Sequence, residues 1–145
     1  MIRNLNKNDF DMWSNLYKGY ADFYKVSMNI EILEILWGWI HDDKHIVKGI
    51  CYEFDGKIVG IAHYRTMPRP LKGKYIGFLD DLFVDPGFRR RKIAQMLINY
   101  LKSLSKLNNW DGIRWTTHFS NKNAKNLYDK IANNIGFELY ELKRD

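Results

Sequence analysis

The alternation of apolar and polar positions changes period several times along the 145 residues. Phe10, Trp13, Tyr17, Tyr20 and Tyr24 recur at three- and four-residue steps, which places them on one face of a helix opening near Asp9. A second helix is predicted after Asn29, with Ile30, Leu33, Trp37 and Ile40 on its face. From Ile46 the period shortens. Ile46, Ile50, Tyr52 and Phe54 fit a strand, Asp55-Gly56 is a hairpin signal, and Lys57 to Tyr64 reads as the returning strand. Met67 to Lys74, with Pro68 and Pro70, reads as the one long loop. Tyr75 to Val84 is a further strand, ended by Asp85-Pro86-Gly87. A long helix is predicted from about Arg89 to Leu107, its apolar face made of Ile93, Ala94, Leu97, Ile98, Leu101 and Leu104. Ile113 to His118 reads as a strand, Asn121 to about Asn134 as a helix, and Gly136 to about Leu142 as a last strand.

With Ile2 to Leu5 as a short first strand, the order is β-α-α-β-β-β-α-β-α-β. The strand–helix–strand run near residues 75 to 118 is a βαβ unit, so that strand pair is expected to be parallel, while the earlier strands are linked by a hairpin. The predicted class is α/β, with a mixed sheet carrying helices on its faces. The aromatic stripes of the first two helices are expected to cover that sheet.

Composition narrows the picture. The length suits one domain, residues 1–145, and 46% apolar with 28% charged residues excludes a disordered or fibrous chain. A single cysteine, Cys51, excludes an intramolecular disulfide and a cysteine-based zinc cluster. The polar start predicts no secretory signal, and no apolar run approaches the ~20 residues of a membrane span, so a cytoplasmic setting without membrane attachment is expected.

The formal charge of +6 leaves nucleic acid, an anionic surface or a small polyanion as partners. Its densest cluster, Arg89-Arg90-Arg91-Lys92, stands where a strand turns into a helix. Free N–H groups and the positive dipole end make such a place suit phosphate. A solvated charge run opening a helix explains the same four residues. The other basic residues are scattered among acids, which argues against a nucleic-acid face.

Here the chain resembles a family. Phe78-Leu79-Asp80-Asp81-Leu82-Phe83-Val84-Asp85-Pro86, followed by Gly87 to Leu97, is similar to the core motif of the GNAT N-acetyltransferase superfamily. That motif reads roughly Leu-Glu-Asp-Leu-Phe-Val-x-Pro, then Arg/Gln-x-x-Gly-x-Gly/Ala and an apolar helix. Asn121-Lys122-Asn123-Ala124-Lys125-Asn126-Leu127-Tyr128, with Gly136-Phe137 after it, resembles the family's second block. The resemblance implies acetyl-CoA as cofactor and transfer of its acetyl group to an amine; no metal is expected, and a primary amine of a small molecule is the acceptor expected first. The resemblance also implies backbone pairing of the pantetheine arm with Leu82, Phe83 and Val84, and a pyrophosphate cradle from Arg89, Arg90, Arg91, Lys92, Ile93 and Ala94. It further implies contacts from Asn121 and Ala124 to CoA, and Tyr128 as general acid. Two departures stand out. Lys92 replaces the motif's first glycine, and Tyr128 lies eight residues before Gly136, against about four in most members, which predicts a longer last helix. That spacing, with Phe23-Tyr24, resembles the histone-and-polyamine acetyltransferase subgroup.

The reaction needs a proton acceptor for the amine. Asp80 aligns with the family's glutamate and is the choice for base or amine anchor. Neighbours on a strand point to opposite faces, so Asp81 is expected to point away and be structural. His63 and His118 are the other base candidates, although His63, on a strand, also reads as a satisfied core or rim histidine. His118, Phe23 and Tyr24 are candidates for the acceptor side. Cys51 lies on a different strand from the motif and is set aside as a nucleophile. A polyamine, an amino acid or an amino sugar would be the acceptor, attacking the thioester directly in a ternary complex. A protein lysine or N-terminal acetyltransferase, a non-catalytic acyl-CoA-binding module and a nucleic-acid-binding domain remain as alternatives. The aromatic surface leaves room for a homodimer.

Overall fold

A computed structural model describes residues 1–145. The elements run β1 (Ile2–Asn4), α1 (Phe10–Phe23), α2 (Ile30–His41), β2 (Val47–Phe54), β3 (Lys57–Arg69), β4 (Lys74–Val84), α3 (Ile93–Asn108), β5 (Trp110–Trp115) and α4 (Lys122–Ile131). One five-stranded sheet has the order β1-β2-β3-β4-β5. All pairs are antiparallel except β4 with β5, which is parallel as the βαβ pattern requires.

The two faces of the sheet carry separate cores. On one, Trp13, Leu16, Leu33, Leu36 and Ile40 of α1 and α2 pack on Cys51, Ile58, Ile61 and Phe83. On the other, Ile93, Leu97, Ile98 and Leu101 of α3 pack on Ile50, Val59, Ala62 and Leu79, with Tyr128 and Ile131 of α4 against them. Local chemistry sets the ends of these elements. Asn29 caps α2 by accepting from the Ile32 amide at 2.9 Å. Asp55 and Gly56 both take positive φ, 49° and 75°, the backbone that a two-residue hairpin demands. Gly77 lets β4 approach β5, since a Cβ there would lie 2.6 Å from the Trp110 ring.

Several boundaries differ from the sequence-based expectation. Met67 to Arg69 continue β3 rather than forming a loop, paired with Ile76, Tyr75 and Lys74. Pro68 is tolerated because β2 ends opposite Arg65, so one side of β3 needs no donor there. The connection shrinks to a single 3₁₀ turn, Pro70–Lys72, closed by Gly73 in the left-handed region. The helix expected from Arg89 starts at Ile93, because Arg90 and Lys92 have φ of 65° and 62° and break the helical path. β5 begins at Trp110 instead of Ile113 and ends at Trp115. The last helix is shorter than expected, not longer: α4 stops at Ile131, where Ala132 adopts an extended backbone. The strand expected from Gly136 to Leu142 does not form, and residues 133–145 are exposed and outside any regular element.

Candidate active site

The site begins where β4 and β5 part. Their pairing ends at Leu79 opposite Trp115, while β4 continues through Asp80–Val84. On its other side that stretch stays paired with β3, through Gly60↔Val84, Ile61↔Phe83 and Ala62↔Leu82. The edge toward β5 therefore carries unpaired backbone donors and acceptors, a template for an extended, peptide-like chain. The gap also joins the two faces of the sheet.

The register of β3 and β4 shifts between His63 and Tyr64, leaving Asp80 as an extra residue in a β-bulge. This overturns the expectation that Asp80 and Asp81 point to opposite faces. Asp80 is held by Arg65, whose Nε donates to both carboxylate oxygens at 3.2 and 3.0 Å. Asp81 accepts from His63 at 2.8 Å and from the Tyr17 hydroxyl at 3.0 Å. His63 and Arg65 are two apart on β3 and share its α1-side face, so both carboxylates lie on that face.

Behind Asp81 runs a buried chain of hydrogen bonds. Trp13 Nε1 donates to His63 Nε2 at 2.9 Å. An indole nitrogen only donates, so Nε2 accepts, the ring proton sits on Nδ1, and it is given to Asp81. Trp13 and His63 are 0% and 1% exposed, so this link is sealed from water. Burial pushes the Asp81 carboxyl up, but the hydrogen bonds it accepts from His63 and the Tyr17 hydroxyl outweigh it and hold the group below its ordinary value. Asp80 is shifted the other way: burial raises it more than Arg65 lowers it. The two acids thus differ in environment, one locked as a carboxylate and the other more easily protonated.

Aromatic rings line the approach. Along α1, Trp13 stacks on Tyr17 at 5.6 Å, Tyr17 on Tyr20 at 5.6 Å, and Tyr20 meets Tyr24 at 4.9 Å and Phe83 at 5.9 Å. Burial first, then the Asp81 carboxylate, raises the hydroxyls of Tyr17 and Tyr20. Phe23 and Tyr24 are exposed at the helix end, their rings 5.1 Å apart. An open groove of about 490 Å³ brings Phe23 together with Phe83, Asp85 and Arg89.

Tyr128 belongs to the opposite face. Its ring meets Trp115 edge-on at 5.3 Å, at the end of β5 where the strands separate. Burial, with a smaller contribution from Tyr24, pushes its hydroxyl up to about 12, so it keeps its proton at neutral pH. That oxygen has no hydrogen-bond partner in the chain, yet it is not sealed off.

β4 leads into the basic turn. Asp85 accepts from the Gly87 amide at 2.8 Å and shapes the 3₁₀ turn Pro86–Phe88. The amides of Arg89, Arg90, Arg91 and Lys92 donate to no backbone carbonyl, and those of Ile93, Ala94 and Gln95 open α3 without an intrahelical acceptor. Seven consecutive N–H groups are thus available to an anion. Arg89 lies over the Phe83 ring at 5.5 Å and donates to the Val84 carbonyl at 3.3 Å. Arg91 sits over Phe88 at 5.0 Å and Phe54 at 5.7 Å. The left-handed φ of Lys92 explains why glycine suits that position.

The remaining candidates are more peripheral. The Asn121 side chain caps α4 through the Ala124 amide at 3.3 Å and reaches Thr117 at 3.4 Å. His118 lies exposed in the β5–α4 connection, bonded to Ser120 at 2.6 Å and stacked on Phe119 at 4.5 Å. Sequence reasoning missed Tyr17 and Arg65 as partners of the two acids, and Trp13 as the donor behind His63. The α1 stripe was the one available signal, and it read as core packing.

A split sheet beside a strand that runs into seven consecutive free amides offers a groove for an extended chain that ends in an anion. The chain matches the acetyltransferase (GNAT) family over residues 12–132 and belongs to it; it is an N-acetyltransferase. The D-amino-acid N-acetyltransferase HPA3 of Saccharomyces cerevisiae is 24% identical over 144 residues, covering 97% of this chain and 89% of that one. The fold is shared with a ribosomal-protein-alanine N-acetyltransferase from Brucella melitensis, at TM-score 0.83, 21% identity and 99% coverage of both chains. It is shared equally with AAC(6')-Iy bound to a CoA-linked bisubstrate analogue, at TM-score 0.86, 19% identity and coverage of 100% and 98%.

Proposed function

We propose that residues 1–145 form one acetyltransferase domain that moves the acetyl group of acetyl-CoA to a primary amine of a small molecule. The observation that carries this reading is the unpaired β4 edge, Asp80–Val84, continuing into the seven free amides of Arg89–Gln95. The two features match the two parts of CoA, a peptide-like arm and a diphosphate. In this reading Leu82, Phe83 and Val84 pair with the arm through their backbones. Arg89 to Ala94 hold the diphosphate with amides and positive charge. Asn121 contributes its amide nitrogen, which Thr117 holds only weakly, and Ala124 lies beside the arm on α4.

The donor supplies a thioester. The amine nitrogen bonds to its carbonyl carbon, the carbon–sulfur bond breaks, and the electron pair leaves on sulfur. Tyr128 presents its O–H to that sulfur. With its hydroxyl at about 12, full proton transfer to a thiolate whose conjugate acid has a pKa near 8.5 is uphill, so its main contribution is a hydrogen bond to the developing charge. The acceptor, drawn in as an ammonium, first gives one proton to water; the proton its nitrogen sheds as the new bond forms goes to Asp80, the more basic of the two acids. Asp81 is kept ionised by His63 and Tyr17 and provides negative charge that draws a cationic acceptor. Tyr24, Phe23 and His118 border the acceptor side. The buried lone cysteine fits a reducing, cytoplasmic setting, which we assign to the protein.

The carboxylates and rings support a small cationic amine as acceptor, such as an amino acid, a polyamine or an amino sugar. HPA3 is named for D-amino acids and AAC(6')-Iy is an aminoglycoside N-acetyltransferase, both small amines. The test is free-thiol release from acetyl-CoA with D-amino acids, polyamines, aminoglycosides and alanine- or lysine-bearing peptides. Turnover with a small amine is expected. Turnover with peptides alone would move the protein to the protein-modifying class. CoA binding with no turnover on any amine would make it a binding module.

A further inference from the structure

Arg65 spends only one of its nitrogens on the chain. Its Nε holds Asp80, while the two terminal nitrogens, with four N–H groups, donate to nothing and are not sealed from solvent. The group is nonetheless fixed in place. It lies over the Phe78 ring at 4.9 Å, with Asp80 gripping its edge at 3.0 Å. The Arg65 and Asp80 side chains are 31% and 32% exposed, so a solute reaches both. They stand at the mouth of the split, since Asp80 is the first residue of β4 beyond its last pairing with β5.

A second arginine belongs to the same face. Arg114 of β5 is in register with Phe78, and its neighbours Ile113 and Trp115 pack into the α3-side core, so Arg114 points to the α1 side as Arg65 does. It has no carboxylate partner. The face therefore carries both signs of charge in order, Asp81 and Asp80 first, then Arg65 and Arg114. A plain amine would use the acids and leave the free guanidinium edge unanswered. A polyamine would bring a further cation toward two arginines, a repulsive placement.

We propose that Arg65 sets the acceptor specificity by binding the α-carboxylate of an amino acid whose amine lies on Asp80. The inference rests on the acetyltransferase reading above and narrows its acceptor to α-amino acids. The dimensions agree. In an α-amino acid the nitrogen and the carboxyl carbon are about 2.5 Å apart, and Asp80 and Arg65 are themselves in contact at 3.0 Å. The acceptor lies against this ion pair in reverse, amine to carboxylate and carboxylate to guanidinium. The free N–H groups of Arg65 make charge-assisted bonds to it.

The test compares an amino acid with the amine left when its carboxylate is removed: phenylalanine with phenethylamine, and leucine with isoamylamine, both enantiomers of each amino acid. Thiol release from acetyl-CoA gives kcat/KM for every substrate. The parent enzyme should favour the better enantiomer over its amine by about 10- to 100-fold. Arg65→Gln should bring that ratio to within about threefold of one, chiefly by raising KM for the amino acid. Losing Arg65 also makes Asp80 more basic, but this acts on both members of a pair, so the change in ratio isolates the carboxylate contact. Arg65→Lys, which keeps the charge without the fork, should retain part of the preference, and Arg114→Gln should retain nearly all of it. Equal kcat/KM for amino acid and amine in the parent enzyme overturns the proposal. So does a ratio that survives Arg65→Gln while both substrates slow alike, which would leave Arg65 only as a support for Asp80. A ratio lost in Arg114→Gln and kept in Arg65→Gln overturns it by moving the carboxylate to β5. No thiol release with any amine is a different failure: it overturns the acetyltransferase reading itself, and this inference with it.

Discussion

Replacing Trp13 by Phe removes one N–H from the middle of the α1-side core and keeps most of the ring. His63 Nε2 then loses its only donor in a place where both residues are essentially without solvent. Stranding a buried acceptor costs about 1–3 kcal/mol, and the smaller ring leaves a void worth about 1 kcal/mol more. The expected loss is about 2–4 kcal/mol, a large part of the ~5–15 kcal/mol that holds a domain folded. At this length that lowers Tm by about 5–15 °C, read by circular dichroism. The hydrogen bond is isolated by repeating the change in a His63→Leu background. There the indole N–H is itself stranded, so removing it costs little beyond packing, and the coupling between the two changes should reach about 1–3 kcal/mol. Equal losses in the two backgrounds, within about 0.5 kcal/mol, would refute the assignment of tautomer and bond direction.

Lys92→Gly relieves a side chain held at φ 62° and should raise stability by about 1 kcal/mol; an unchanged or lower Tm would show that Lys92 compensates through contacts of its side chain. Asp81→Asn should flatten the acid end of the stability curve. The folded Asp81 carboxyl lies below its ordinary value, so its contribution is complete above about pH 5 and lost as pH falls through about 4 and lower. Urea unfolding between pH 3 and 7 reads this, and identical curves for the two proteins would remove the locked carboxylate. Asp80→Asn should lower kcat/KM and abolish an acidic limb lying above the usual carboxylate range, since a base works only when deprotonated and the Asp80 carboxyl is raised. An acidic limb that survives the substitution would assign the base elsewhere.

The fold was largely legible in the chain because its strongest signals are local. The α1 stripe, the Asp55-Gly56 turn and the strand–turn–helix run from Tyr75 each follow from neighbours a few residues apart. Boundaries moved where backbone geometry departs from pattern. The Arg89–Lys92 run reads as helix from its flanks, yet positive φ at Arg90 and Lys92 postpones α3 to Ile93. The Gly136–Leu142 segment has strand character but no partner within its own chain, so pattern alone could not form it. The chemistry of the two acids was least legible. A single bulge in β4 turns Asp80 and Asp81 to one face, and the chain Trp13–His63–Asp81 links residues 50 and 18 positions apart. No local periodicity encodes such distances.

The most direct measurement is steady-state acetylation by Tyr128→Phe at saturating acetyl-CoA, followed as thiol release. The hydroxyl is unpaired, keeps its proton at neutral pH and stands where the sheet opens. Its removal should lower kcat by about 10²-fold, with KM for acetyl-CoA and Tm nearly unchanged. A kcat within about twofold of the parent enzyme would contradict the placement of the leaving sulfur beside Tyr128, and with it the reading of the β4–β5 gap as the seat of the reaction.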